Sequence, residues 1–276
     1  MMQDPFKEYI QELEPNKKEK GFAWATAIGL QAVDGLKPSE YLLELASSNI
    51  EGKISLNKVN ELLQSYYKER PSRIEDRTEE ADKVSARIAK LLSEKSFSFN
   101  PIEYLSIHRK LFYDLYSHAG KVRTYNITKQ EWVLNGATVL YSDATELMQT
   151  LEYDLAQERA FSYKGLSMTD VIHHLAVFVS RLWQIHVFGE GNTRTTAVFL
   201  IKYLRSLGFD CSNDLFSTNA WYFRNALVRA NYNDLKHEIY EATEFLELFL
   251  RRLLLNEEIS LSNRSLHINN SPKELK

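Results

Sequence analysis

The chain has 276 residues, 44% of them hydrophobic and 12% aromatic, which is enough for a sizeable packed core. A formal charge of -3 gives no bulk positive field and argues against nucleic acid or an anionic membrane as partner. The single cysteine, Cys211, excludes an intrachain disulfide framework. No apolar run approaches the roughly 18 residues of a membrane span, and the charged N-terminus lacks a signal-peptide core. The expected setting is the cytoplasm.

Six prolines and ten glycines leave room for long helices. Residues 39–48 read as a helix ended by Gly52, and Ser55 caps a second with the stripe Leu56, Val59, Leu62, Leu63 and Tyr66. Residues 68–80 are charged, contain Pro71 and form the expected linker between an N-terminal segment (1–70) and a core (80–255). In the core, Val84, Ile88, Leu91 and Leu92 mark a helix, and Asn100-Pro101 opens another. Residues 122–142 are rich in Val, Thr, Tyr and Trp, and Asn135-Gly136 is a turn signal, so a short β-hairpin is expected. Thr169 is the expected cap of an apolar helix running to Trp183. A glycine-bearing loop follows, then helices near 193–207, 220–229 and 240–255. A polar, frayed tail is expected over 256–276.

Residues 186–196, His-Val-Phe-Gly-Glu-Gly-Asn-Thr-Arg-Thr-Thr, form a loop running into a helix N-terminus. Free amide N–H groups and the helix dipole favour an anion there, and Gly189 and Gly191 let the backbone come close to one. Arg194 adds a planar cation matched to phosphate oxygens. Glu190 suits a Mg²⁺ ion that also binds phosphates, and His186 suits a general base near neutral pH. A single histidine beside an apolar helix is more often structural; the joint occurrence points to a phosphoryl-type transfer. His173 and His174 diverge by about 100° on their helix, so a shared metal is not expected.

His186, Phe188, Glu190, Gly191, Asn192 and Arg194 resemble the signature of the Fic family. The resemblance implies an all-α, Fic-type helical bundle with a β-hairpin flap and an N-terminal helical regulatory segment. It implies transfer of AMP from ATP, with Mg²⁺, to a Ser, Thr or Tyr hydroxyl of a target protein. His186 would be the base and Glu190 the metal ligand, with Gly189, Gly191, Asn192, Thr193 and Arg194 at the phosphates. Thr193 replaces the family's usual glycine, and Ala197 stands where a second arginine is expected, which leaves the nucleotide and the efficiency of turnover open. Trp132, Val133 and Leu134 are the candidate target-docking flap; a plain structural hairpin is the other reading. Ala230-Asn231-Tyr232 is similar to the family's adenine and ribose segment, to which Tyr222 contributes unless it is a core aromatic. Ser47-x-x-x-Glu51-Gly52 matches the family's inhibitory pattern, with Asp34 in Val33-Asp34-Gly35 as its rival and an ordinary surface carboxylate as the third reading. Self-modification and a homo-oligomer stay open.

Overall fold

The computed structural model describes residues 15–70, 77–211 and 214–269. Residues 71–76 of the expected linker, and the tail beyond residue 269, lie outside them. The described residues are helical and contain no strand. None of their helices is long and apolar enough to cross a membrane. Contacts divide the chain into two units, the first comprising Met1–Ser98, Ser106–Gly120 and Ala197–Ala220 and the second Phe99–Leu105, Lys121–Thr196 and Trp221–Lys276.

The first unit begins with α1 (Pro15–Gly29), a 3-10 turn (Leu30–Asp34), α2 (Glu40–Ile50), α3 (Leu56–Glu69) and α4 (Thr78–Ser93). Ser55 caps α3 by accepting from the Lys58 amide, as its sequence position predicts, and Ser39 caps α2 in the same way by accepting from the Leu42 amide. Trp24, Leu30, Leu42, Leu63, Val84 and Ile88 fill the space between these helices. A carboxylate fixes their arrangement. Asp82 of α4 is wholly buried and accepts from the Ser39 amide at 2.8 Å, the Ser39 hydroxyl at 2.5 Å and the Tyr67 hydroxyl at 2.6 Å. Burial still pushes the Asp82 carboxyl up from its ordinary value, although these bonds pull it down.

Chain ends in this unit are satisfied by cations. Lys202 Nζ donates to the carbonyls of Leu91 and Glu94 at 2.8 and 2.7 Å, and Arg205 donates to that of Leu92 at 2.7 Å. These are the orphan carbonyls at the end of α4, where the helix dipole also favours positive charge. Arg87 serves α5 (Pro101–Phe112) similarly, donating to Leu111 and Tyr113 carbonyls and pairing with Asp114. Gly29 ends α1 at a backbone crossing: a Cβ there would lie 2.3 Å from the Phe216 carbonyl oxygen. Cys211 is buried and reduced, and burial pushes its thiol up to about 12.

The second unit is built on α7 (Met168–Ile185), which packs against α6 (Leu147–Ala160) and α10 (Glu244–Leu255). The N-cap of α7 is Ser167 rather than Thr169. Its hydroxyl accepts from the Asp170 amide and the Asp170 carboxylate reaches back to the Ser167 amide, a reciprocal box that Thr169 cannot form. His173 and His174 pair with different carboxylates, Glu247 and Glu158, in keeping with their divergence. The motif leads into α8 (Asn192–Ser206), followed by α9 (Leu215–Arg229).

Two further expectations are corrected. The hairpin at 122–142 does not form a ladder. Asn135 and Gly136 have the positive φ of a turn, 53° and 85°, but Trp132–Leu134 coils into a 3-10 turn closed by bonds between Glu131 and Gly136 and between Glu131 and Ala137. The successive side chains of Val133 and Leu134 are both buried, unlike those of a strand with one face in solvent. The segment after Asn256 is ordered as far as it is described. Arg252 donates to the Ile259 carbonyl, Asn225 donates to Asn263, and a short helix α11 (Asn263–Leu266) buries Leu266 completely. One apolar anchor and paired backbone groups offset the polar composition there.

Candidate active site

The site is the turn between α7 and α8, all of it within the second unit. His186 is the C-cap of α7 and adopts the left-handed conformation, φ 51°. Its ring is buried against Tyr141, 4.2 Å between centroids, and against Trp183 at 5.1 Å. Nδ1 lies 3.3 Å from the Trp183 carbonyl, whereas Nε2 is buried with no hydrogen-bond partner. Burial is the main cause that holds the imidazole well below its ordinary 6.5, and the charges of Lys129, Arg123 and Arg224 act the same way. The ring is therefore held neutral, and its buried Nε2 makes no hydrogen bond.

A side chain from far upstream in the sequence braces the turn. Arg123 donates through Nε to the His186 carbonyl at 2.8 Å and through its terminal nitrogens to the Tyr125 and Ser142 carbonyls at 2.6 and 2.5 Å. Its own amide donates to the Val187 carbonyl at 3.0 Å. Beyond the histidine, Phe188 is buried and stacks on Tyr104, 5.7 Å between centroids. The Asn192 side chain closes the turn like a strand partner. It accepts from the Phe188 amide at 3.0 Å and donates to the Phe188 carbonyl at 2.7 Å. Gly191 has φ 77°, a conformation that costs a side chain but not glycine.

The first turn of α8 is pinned from both sides. Trp183 donates its indole N–H to the Thr193 hydroxyl at 3.0 Å, and Tyr104 and Thr196 share a bond of 2.8 Å. Thr193 thus occupies its glycine-like position by packing back on α7. Arg194 is fully buried in this turn. Glu190 differs from its neighbours in being exposed, with an ion pair to Lys129 at 3.3 Å. No cluster of three or more His, Cys, Asp or Glu side chains among the described residues could hold a metal by itself. A lone exposed carboxylate fits Mg²⁺, which commonly takes one or two protein carboxylates and draws its remaining ligands from phosphates and water.

Other expected residues sit elsewhere. Tyr222 is buried, donates its hydroxyl to the Phe245 carbonyl at 3.2 Å and stacks on Phe249, a core position. Asn231 donates to the carbonyls of Ser180 and Leu227, tying the end of α9 to α7. Of the flap residues, Trp132 is half exposed and Val133 and Leu134 are buried. Next in sequence, the buried Glu131 receives Arg224 through two nitrogens, at 2.6 and 3.1 Å, and lies 3.4 Å from the Tyr141 hydroxyl. Ser47 donates to the Leu43 carbonyl, Glu51 is the C-cap of α2 and pairs with Lys53, and Asp34 ends the 3-10 turn; all three lie in the first unit. Tyr141 and the pair of Glu131 with Arg224 carry no local motif. Only their distance from the histidine in the fold, not in the sequence, reveals them.

Residues 98–204 match the Fic/DOC family, and this stretch of the chain is a Fic domain. Over 103 residues the chain is 32% identical to the protein adenylyltransferase VbhT of Bartonella schoenbuchensis, a match that covers 37% of this chain. The chain spans 20% of the length of that relative. Among solved structures it is similar to the N-terminal FIC domain of Bep8 from Bartonella sp. 1-1C, at 16% identity and a TM-score of 0.47, over 76% of this chain and 91% of that one.

Proposed function

We propose that the domain transfers AMP from ATP to a Ser, Thr or Tyr hydroxyl of a protein. The observation that carries this reading is the neutral, buried imidazole of His186, with Nε2 unpartnered, set directly before the N-terminus of α8. The first-turn amides of α8 and the charge of Arg194 supply an anion site for the phosphates. The target oxygen attacks the α-phosphorus, its proton passes to Nε2, and the bond from the α-phosphorus to the bridging oxygen breaks to release pyrophosphate. Mg²⁺, when held by Glu190, would neutralise phosphate charge. Lys129 must then leave Glu190 or share the phosphates. Tyr141 covers the imidazole and has to swing aside for the hydroxyl to reach it. The Trp132–Leu134 turn would hold the target chain in register.

A brake from the N-terminal segment belongs to the same reading, with Ser47 and Glu51 as its favoured residues and Asp34 as the rival. Mass spectrometry after incubation with ATP and Mg²⁺ tests activity and brake together. The chain should gain one AMP, more of it in Glu51→Gly, and none in His186→Ala. A gain restricted to Asp34→Gly moves the brake to the 3-10 turn. Absence of AMP on the chain and on added protein acceptors, in every variant, would overturn the proposal. A second reading, a nucleotide-binding module with weak turnover, draws on Ala197. That position is fully buried and offers no cation for a third phosphate. Tight ATP binding without AMP transfer would favour it.

A further inference from the structure

The chain beyond Leu266 lies along the 132–135 turn. The Ile268 amide donates to the Val133 carbonyl at 3.0 Å. The side-chain amides of Asn135 and Asn269 donate to one another at 2.8 and 3.2 Å. His267 meets the indole of Trp132 edge-on, 5.1 Å between centroids. Since Val133 and Leu134 bury their side chains, the surface consists of a main-chain carbonyl, an amide and an indole. Those are the means by which a protein edge captures an extended chain: a main-chain bond sets register and side chains set identity.

We propose that the 132–135 turn is a docking surface for a polypeptide segment, that residues 267–269 occupy it in cis, and that an incoming chain must displace them. This rests on the reading of the turn as the target-docking flap. The occupant defines the partner's chemistry: a segment that bends to offer a free N–H where Ile268 sits, which excludes proline, and a side-chain amide one residue later. The hold is light, because it consists of one main-chain bond and an exposed amide pair. Tethering compensates, since a segment on the same chain competes at high effective concentration and lowers the competent fraction of the surface.

The test is binding of a fluorescein-labelled peptide with the sequence of residues 262–271 to the full chain, without nucleotide. Ile268→Pro removes the donor to Val133, and Asn269→Ala removes the amide but keeps the backbone. Both should bind the peptide about tenfold or more tightly than the unaltered chain. Asn135→Gly, which tolerates the positive φ, should weaken that gain when combined with Ile268→Pro. Equal binding by all chains, or none by either released variant, overturns the proposal. Because the assay uses no ATP, this binding pattern without AMP transfer would sink only the catalytic reading. AMP transfer without the pattern would sink only the docking surface.

Discussion

His186 carries two costs at one residue, a left-handed backbone and a buried nitrogen with no partner. Such costs persist at sites where function needs them. The depressed pKa has consequences of definite sign. Because the imidazole is neutral below 6.5, AMP labelling followed between about pH 5 and 8 should hold its His186-dependent rate through 6.5 rather than halve there. For stability, the unfolded chain takes up a proton near 6.5 that the folded chain refuses. The folded state should therefore lose stability as pH falls from 6.5 towards the folded value. Thermal melts of His186→Asn over the same range should show a shallower fall. An unchanged slope would mean the ring is not held neutral.

At the scale of elements, the turn that replaces the expected hairpin hangs on Glu131 and Arg224. Breaking a buried pair leaves one charge uncompensated, so Arg224→Ala should cost about 3–5 kcal/mol in urea denaturation, and restoring neutrality with Glu131→Gln in the same chain should recover part of it. The crossing of α1 at Gly29 makes a second prediction. Alanine favours a helix by about 1 kcal/mol over glycine, yet its Cβ would fall 2.3 Å from one backbone atom and 2.4 Å from another. Overlap wins, and Gly29→Ala should lower the urea midpoint by the equivalent of about 1–3 kcal/mol. Caps were partly legible in the sequence because they are local: Ser55 and Asn100 act as expected, while Ser167 takes the place expected of Thr169. α1 and α6 were not. In α1 the residues from Phe22 to Ala25 are buried in succession and leave no stripe, and α6 shows only Leu147, Leu151 and Leu155 among charged neighbours. The hairpin was misread because turn chemistry at Asn135-Gly136 specifies a reversal but not the pairing that flanks it.

At the scale of the whole molecule, what was legible is what lies contiguous. The signature from His186 to Arg194 folds as one turn, and the family it points to is the one that residues 98–204 match. What supports that turn, Arg123 and Tyr141, comes from a stretch whose composition suggested strands. The packing of the first unit depends on Asp82, whose three partners come from Ser39 and Tyr67, and no helical period singles out such a residue. Cys211 adds a prediction. A buried thiol pushed up to about 12 is scarcely ionised near pH 8, so a thiol-titrating reagent should find almost none in the folded chain and one equivalent after denaturation. Prompt reaction in the folded state would refute the burial.

That silent sulfur leaves the surface open to bioconjugation. A cysteine introduced at Leu140, which is 84% exposed one residue before Tyr141, would be the sole site taken by a maleimide dye. Its emission could then follow, in real time and without stripping out any native thiol, whether the lid over the imidazole lifts when nucleotide arrives.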